Sequence, residues 1–167
     1  MQNQLTTPTT APDWYLLDTN ILARLTERQS RQHQTAANAV KTLITRGDLL
    51  FITPQNFGEF WRLATRPTTK NGMGLTATTA AAEFASHKGL FRMLPDAAAM
   101  FPQWERLVST YGVTGPDVHD ARLAAVALVY QVPNVLTFNG KHFRRFAPEG
   151  LKIVDPASIA TTQKAIP

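Results

Sequence analysis

Five short apolar runs, at residues 14–17, 49–53, 91–94, 135–138 and 151–154, restrict this chain more than any other feature. Each is the length of a strand and too short for a helix, and the first two read as buried strands. Helical patterns separate them. One is expected from an N-cap at Ser30 to about Arg46, with Ala36, Ala37, Val40, Leu43 and Ile44 inward and Gly47 as its stop. A second follows Pro54, from Gln55 to Thr65, with Phe57, Phe60, Trp61 and Ala64. A third is capped by Thr76 or Thr78 and runs through Ala85. A fourth spans Asp96 or Ala97 to Tyr111, and a fifth opens at Gly115-Pro116-Asp117 and reaches about Tyr130.

Strands that alternate with helices make an α/β domain: three layers, α/β/α, around a mostly parallel sheet. A single domain is expected over 14–155, with a Thr-, Gln- and Pro-rich leader at 1–13 and a tail at 156–167. The absence of cysteine excludes a disulfide framework, a thiolate nucleophile and Cys-ligated zinc, and it suits a reducing cytoplasm. No apolar run approaches the roughly 20 residues of a membrane span, so no membrane role is expected. The net charge of +5 leaves acids scarce and favours a polyanionic partner such as nucleic acid.

In open α/β sheets the ligand crevice lies beyond the carboxyl ends of the strands. There the chain places Asp18-Thr19-Asn20 after the first strand and Glu59 one helical turn after the second. Asp117 and Asp120 begin the helix before the fourth strand, which is followed by Thr137-Phe138-Asn139. Each acid has a structural alternative. Asp18 suits an N-cap, Glu59 could pair with Arg62 at i+3, and Asp117 and Asp120 suit a helix start. If the acids meet, their repulsion demands a cation, and carboxylate and amide oxygens select a hard ion such as Mg²⁺ or Mn²⁺. Such an ion activates water and holds a phosphate, so no side-chain nucleophile is needed.

The segments that carry these residues resemble the PIN-domain ribonucleases, and among them the VapC toxins of bacterial toxin–antitoxin pairs. They are Leu16-Leu17-Asp18-Thr19-Asn20, Thr53-Pro54-Gln55-Asn56-Phe57-Gly58-Glu59-Phe60-Trp61 with Ala64-Thr65-Arg66-Pro67, Asn71-Gly72-Met73-Gly74-Leu75, Val118-His119-Asp120-Ala121-Arg122-Leu123-Ala124-Ala125 and Leu136-Thr137-Phe138-Asn139-Gly140-Lys141-His142-Phe143. The resemblance implies a PIN-like fold, Mg²⁺- or Mn²⁺-dependent hydrolysis of RNA phosphodiesters, a VapB-like antitoxin partner and a homodimer. It makes Asp18, Glu59 and Asp120 the acidic metal ligands. The family's fourth acid, in a Thr-x-Asp context, is Asn139 here, and a nearby acid is replaced by His142. Asp117 is a candidate replacement ligand.

Thr19, Asn20 and Gln55 are expected to orient the ligands. Arg66, Lys141, Arg144 and Arg145 are candidate RNA contacts, with Phe143 and Phe146 assigned to the core. His33, His87 and His119 show no ligand spacing, and Met73, Met93 and Met100 are expected as core or contact filler. Two other readings remain. One is a catalytically weakened PIN fold that binds RNA or a partner, which Asn139 and His142 favour. The other is an Asp18-nucleophile phosphatase, against which the loop lacks a second Asp two residues on.

Overall fold

The computed structural model describes residues 11–160. Its five strands are β1 (Trp14–Leu17), β2 (Leu49–Ile52), β3 (Arg92–Met93), β4 (Asn134–Leu136) and β5 (Lys152–Val154). They form one sheet in the order β3-β2-β1-β4-β5, with every pairing parallel. The helices are α1 (Thr19–Thr26), α2 (His33–Arg46), α3 (Pro54–Thr65), α4 (Ala77–Leu90), α5 (Met100–Thr110), α6 (Asp117–Val129), α7 (Gly140–Phe143) and α8 (Pro156–Ala160).

Alternation along β1 divides the core into two layers, because successive side chains leave a strand on opposite faces. Leu16 joins Phe51 and Val135 in a cluster with Leu107 of α5 and Leu123 and Val126 of α6. Tyr15 and Leu17 join Leu50, Ile52 and Leu136 in a second cluster with Ile21, Leu43, Phe60 and Phe84, from α1 to α4. The result is the expected three-layer α/β/α architecture. Since β2 and β3 lie on one side of β1 and β4 and β5 on the other, the order reverses at β1. The crevice therefore opens beyond the ends of β1 and β4.

The entry to α3 positions much of that crevice. Pro54 stands in the first turn, where its missing N–H costs nothing, and Thr53 and Asn56 cap each other reciprocally. Asn56 is fully buried and donates to the Leu17 carbonyl (3.1 Å) and to Thr19 Oγ1 (3.0 Å), fastening α3 to the end of β1. Beyond α3, a Cβ on Gly72 would lie 2.0 Å from the Arg66 carbonyl oxygen, so only glycine permits this close return of the chain.

Several boundaries differ from expectation. α2 begins at His33, because Ser30 sits in a turn and accepts from the Gln32 N–H instead of capping. Its buried face uses Ala39 and Thr42 in place of Ala37 and Ile44; Ile44 is exposed. α4 continues past Ala85 to Leu90, because His87 on its next turn packs against Phe60 and Phe91. α5 starts only at Met100, whose sulfur accepts from the Ala97 N–H. Met100 is buried, but Met93 is exposed. Residues 156–160, expected as tail, form α8, which packs on α2 and buries Ile159. The rest of the tail, 161–167, and leader residues 1–10 lie outside the described residues.

Candidate active site at the carboxyl edge of the sheet

Asp18 ends β1 and occupies the N-cap position of α1, yet its carboxylate makes no cap bond. Oδ2 instead accepts from Thr137 Oγ1 (2.6 Å), at the end of β4, and from Asn20 Nδ2 (2.7 Å). The group is only 8% exposed. Burial pushes its pKa up to about 7; the neighbouring charges of Asp120 and Glu59 add to the rise, and the Thr137 hydroxyl opposes it.

Glu59 is gripped at both oxygens. Thr19 Oγ1 donates to Oε2 (2.6 Å) and Gln55 Nε2 to Oε1 (2.8 Å). The alternative pairing with Arg62 is not formed; among the described residues its nearest ionic neighbour is His119, with Nδ1 at 3.8 Å. Asp120, on the first turn of α6, is pushed up to about 6. Burial is the largest cause, the charges of Asp117 and Glu59 raise it further, and His142 and Arg145 act against them. Asp18, Glu59 and Asp120 line one open cleft of about 910 Å³, with Asn20, Gln55 and Asn139.

Asp117 is partnered differently. Arg145 Nη2 donates to its Oδ2 (2.7 Å), and His142 Nδ1 lies 3.1 Å from Oδ1 and 3.5 Å from Asp120 Oδ2. Asp117, Asp120 and His142 offer ligand atoms that all lie within 4.8 Å of one another, a second group able to hold a cation. An ion there competes with Arg145 for Asp117. His142 enters this group because α7 follows directly on β4; in the sequence its signal was only its place beside Asn139.

The remaining site candidates separate by position. Thr19 and Gln55 hydrogen-bond the Glu59 carboxylate, and Asn20 that of Asp18. Lys141 and Arg144 border a smaller hollow that meets the cleft at Asn139, whereas Arg145 is held by Asp117. Arg66 donates to the Asn71 carbonyl across the turn and does not line the cleft. Phe143 and Phe146 are fully buried, as expected. Arg24, Arg122 and Trp104 also line the cleft, and the sequence assigned them no role there. Arg122 and Trp104 lie on the layer opposite α3 and reach the cleft only through the packing of α5 and α6, which no spacing reveals. Thr137 was visible in the Thr-x-Asn segment, but its bond to Asp18 depends on β1 and β4 being neighbours.

The PIN domain family model matches residues 15–148. This chain belongs to the PIN-domain family. PIN domains are nucleases, and the acid edge described here lies within the matched span. No curated protein matches the sequence. Among solved structures, this PIN domain is similar to VapBC2 from Rickettsia felis bound to a DNA fragment from its promoter, with 16% identity and a TM-score of 0.64, covering 85% of this chain and 98% of that one. It is also similar to VapBC-1 from nontypeable Haemophilus influenzae, at 17% identity and a TM-score of 0.62, covering 86% and 98%. A third is VapC20 of Mycobacterium tuberculosis, a sarcin–ricin loop cleaving toxin, at 20% and 0.59, covering 83% and 96%. At these identities the likeness is one of fold.

The donor set of the PIN site fits a hard divalent ion. Asp18 and Glu59 receive hydrogen bonds only from hydroxyl and amide groups, and neither forms an ion pair with Lys or Arg among the described residues. Asp18 and Asp120, whose carboxyls are pushed up chiefly by burial, are stabilised as anions by a cation coordinated among oxygens.

Proposed function

We propose that this PIN domain is a metal-dependent endoribonuclease and the toxin of a toxin–antitoxin pair. The observation that carries the reading is the trio Asp18, Glu59 and Asp120: three acids converging on one cleft, two of them with raised pKa values, in a chain of net charge +5. These acids would hold Mg²⁺ or Mn²⁺, which supplies an activated water and neutralises phosphate charge. Thr137 and Asn20 orient Asp18, while Thr19 and Gln55 orient Glu59. Asn139 contributes a neutral oxygen at the cleft rim. Lys141 and Arg144 attract the phosphates of the strand on one side, and Arg62 lines the cleft on the other. The reaction is hydrolysis of an RNA phosphodiester, leaving 5′-phosphate and 3′-hydroxyl ends.

Asp117 is the candidate for the charge that Asn139 lacks, if an ion takes it from Arg145. An Asp117→Asn variant with unchanged metal affinity and activity would sink that role. The partners of the reading are RNA, a VapB-like antitoxin and a second copy of the chain, in the cytoplasm. The similar structures include VapBC and FitAB assemblies, and no helix among the described residues is long and apolar enough to cross a membrane.

Incubation of the protein with total RNA and Mg²⁺ or Mn²⁺ tests the activity, with Asp18→Ala and EDTA as controls. Cleavage that persists equally in both controls belongs to a contaminant. A second reading, an RNA- or partner-binding module, is favoured by Asn139, which leaves the site one carboxylate short. RNA binding without cleavage at any metal concentration would establish it.

A further inference from the structure

We propose that Arg122 is a positioning residue for Glu59, acting through the Gln55 amide, and that it thereby sets the affinity of the acid cluster for a divalent cation. The inference rests on the metal-dependent reading above and adds a residue that the acids' own neighbourhood does not contain.

Glu59 is held by two relays whose direction is fixed at the far end. In the first, Asn56 Nδ2 donates to Thr19 Oγ1 (3.0 Å), so the Thr19 hydroxyl proton points at Glu59 Oε2. Asn56 cannot turn round, because its Oδ1 accepts from the Thr53 N–H (2.7 Å). In the second, Arg122 Nη1 donates to Gln55 Oε1 (3.0 Å), and Gln55 Nε2 donates to Glu59 Oε1 (2.8 Å) and to the His119 carbonyl (2.8 Å). A guanidinium has donors and no acceptor. It therefore reinforces, at the oxygen end, the amide orientation in which Gln55 presents N–H to Glu59 and to the His119 carbonyl. Removing the guanidinium leaves Gln55 Oε1 without its donor and the amide held at Nε2 alone, so the side chain is less firmly placed and its grip on Glu59 loosens.

Arg122 is itself pinned. Nη2 donates to Asp96 Oδ1 (2.7 Å), and its guanidinium carbon lies 5.9 Å from the centroid of the Trp104 ring. Trp104 is fixed in turn by its indole bond to the Val118 carbonyl (2.9 Å). The competing role for a cleft arginine is a direct phosphate contact. The commitment of Arg122 to Asp96, Gln55 and the ring argues for support instead.

The test is Mn²⁺ affinity of the full chain without RNA, read from the free-Mn²⁺ electron paramagnetic resonance signal. Arg122→Met should weaken binding about tenfold, the lower end of the range for groups that orient metal ligands. Gln55→Leu should cost a similar factor, and the double variant no more than either alone. Arg122→Lys, which keeps a donor, should recover most of the affinity. Unchanged Mn²⁺ affinity in Arg122→Met, with weakened RNA binding, would make Arg122 a phosphate contact and overturn the inference; additive losses would also overturn it. Should Arg122→Met fail to fold, Arg122→Gln and Gln55→Leu decide on the same measurement. If Mn²⁺ affinity moves as expected but the wild type cleaves no RNA, the relay stands and the nuclease reading falls. A wild type that binds no Mn²⁺ removes both.

Discussion

Two groups of carboxylates share the edge of this sheet, and they are partnered in opposite ways. Asp18 and Glu59 lie on the β1 and α3 side and receive only neutral donors: Thr137, Asn20, Thr19 and Gln55. Asp117, at the start of α6, receives the guanidinium of Arg145 and the imidazole of His142. Asp120 stands between the groups and feels both. Hydroxyls and amides fix where a carboxylate points without cancelling its charge, whereas Arg145 cancels the charge of Asp117. An acid cluster built for an external cation is therefore told from an internal ion pair by who neutralises it, not by how many acids it holds.

The largest effect should come from the most buried member of the first group. Asp18→Asn keeps the shape and removes the charge. RNA cleavage should fall about a thousandfold or more, the loss expected when several kcal/mol of metal-derived stabilisation disappear. In metal-free protein the same substitution should raise the melting temperature near neutral pH, since an uncompensated buried charge has been removed. A lowered melting temperature would mean that Asp18 is internally neutralised and would erase the contrast with Asp117.

The second effect is on pH. Burial pushes the Asp18 carboxyl from its ordinary range up to about 7, and that of Asp120 up to about 6. Raised carboxyl pKa values stabilise the fold when protonated, so metal-free stability should be greatest near pH 4 and decline as pH rises toward 7. Added Mn²⁺ should stabilise the protein increasingly over that window, with proton release on binding. Calorimetry in buffers of different ionisation enthalpy measures the released protons; none released would contradict the raised pKa values.

A third variant, Asn139→Asp, moves the site toward a fuller acid set. A second Mn²⁺ should bind about tenfold more tightly, one such carboxylate being worth on the order of 1 kcal/mol at a partly exposed position. Smaller still, Lys141→Ala and Arg144→Ala should each weaken RNA binding severalfold and lower the slope of log affinity against log salt by about 1, leaving Mn²⁺ affinity unaltered. Salt slopes unchanged in both variants would take the strand's path away from that hollow.

Much of this was written in the chain. The short apolar strands between helices call for a mostly parallel, buried sheet, which holds for β1, β2 and β4, while the edge strand β3 stands exposed. Asp18, Glu59 and Asp120 were legible because their positions, after β1, one turn into α3 and at the start of α6, are set by elements whose order the sequence displays. Where expectation failed, a third element decided. Ser30 lost its cap role to a turn, Ile44 faced outward while Ala39 and Thr42 went in, and α8 formed where a tail was expected because Ile159 found the surface of α2.

What the sequence by itself determined is the periodicity of its elements and the identity of its acids, since strand burial and ligand chemistry depend on residue type and near spacing. Only the tertiary structure decided who neutralises whom. Arg145 reaches Asp117 across 28 residues, Thr137 reaches Asp18 across 119, and Arg122 reaches Gln55 across 67. Contacts of that range arise from which strands pair and which helices share a layer. Hydrogen bonds and ion pairs act over a few ångströms of space, and separation along the chain does not encode that distance.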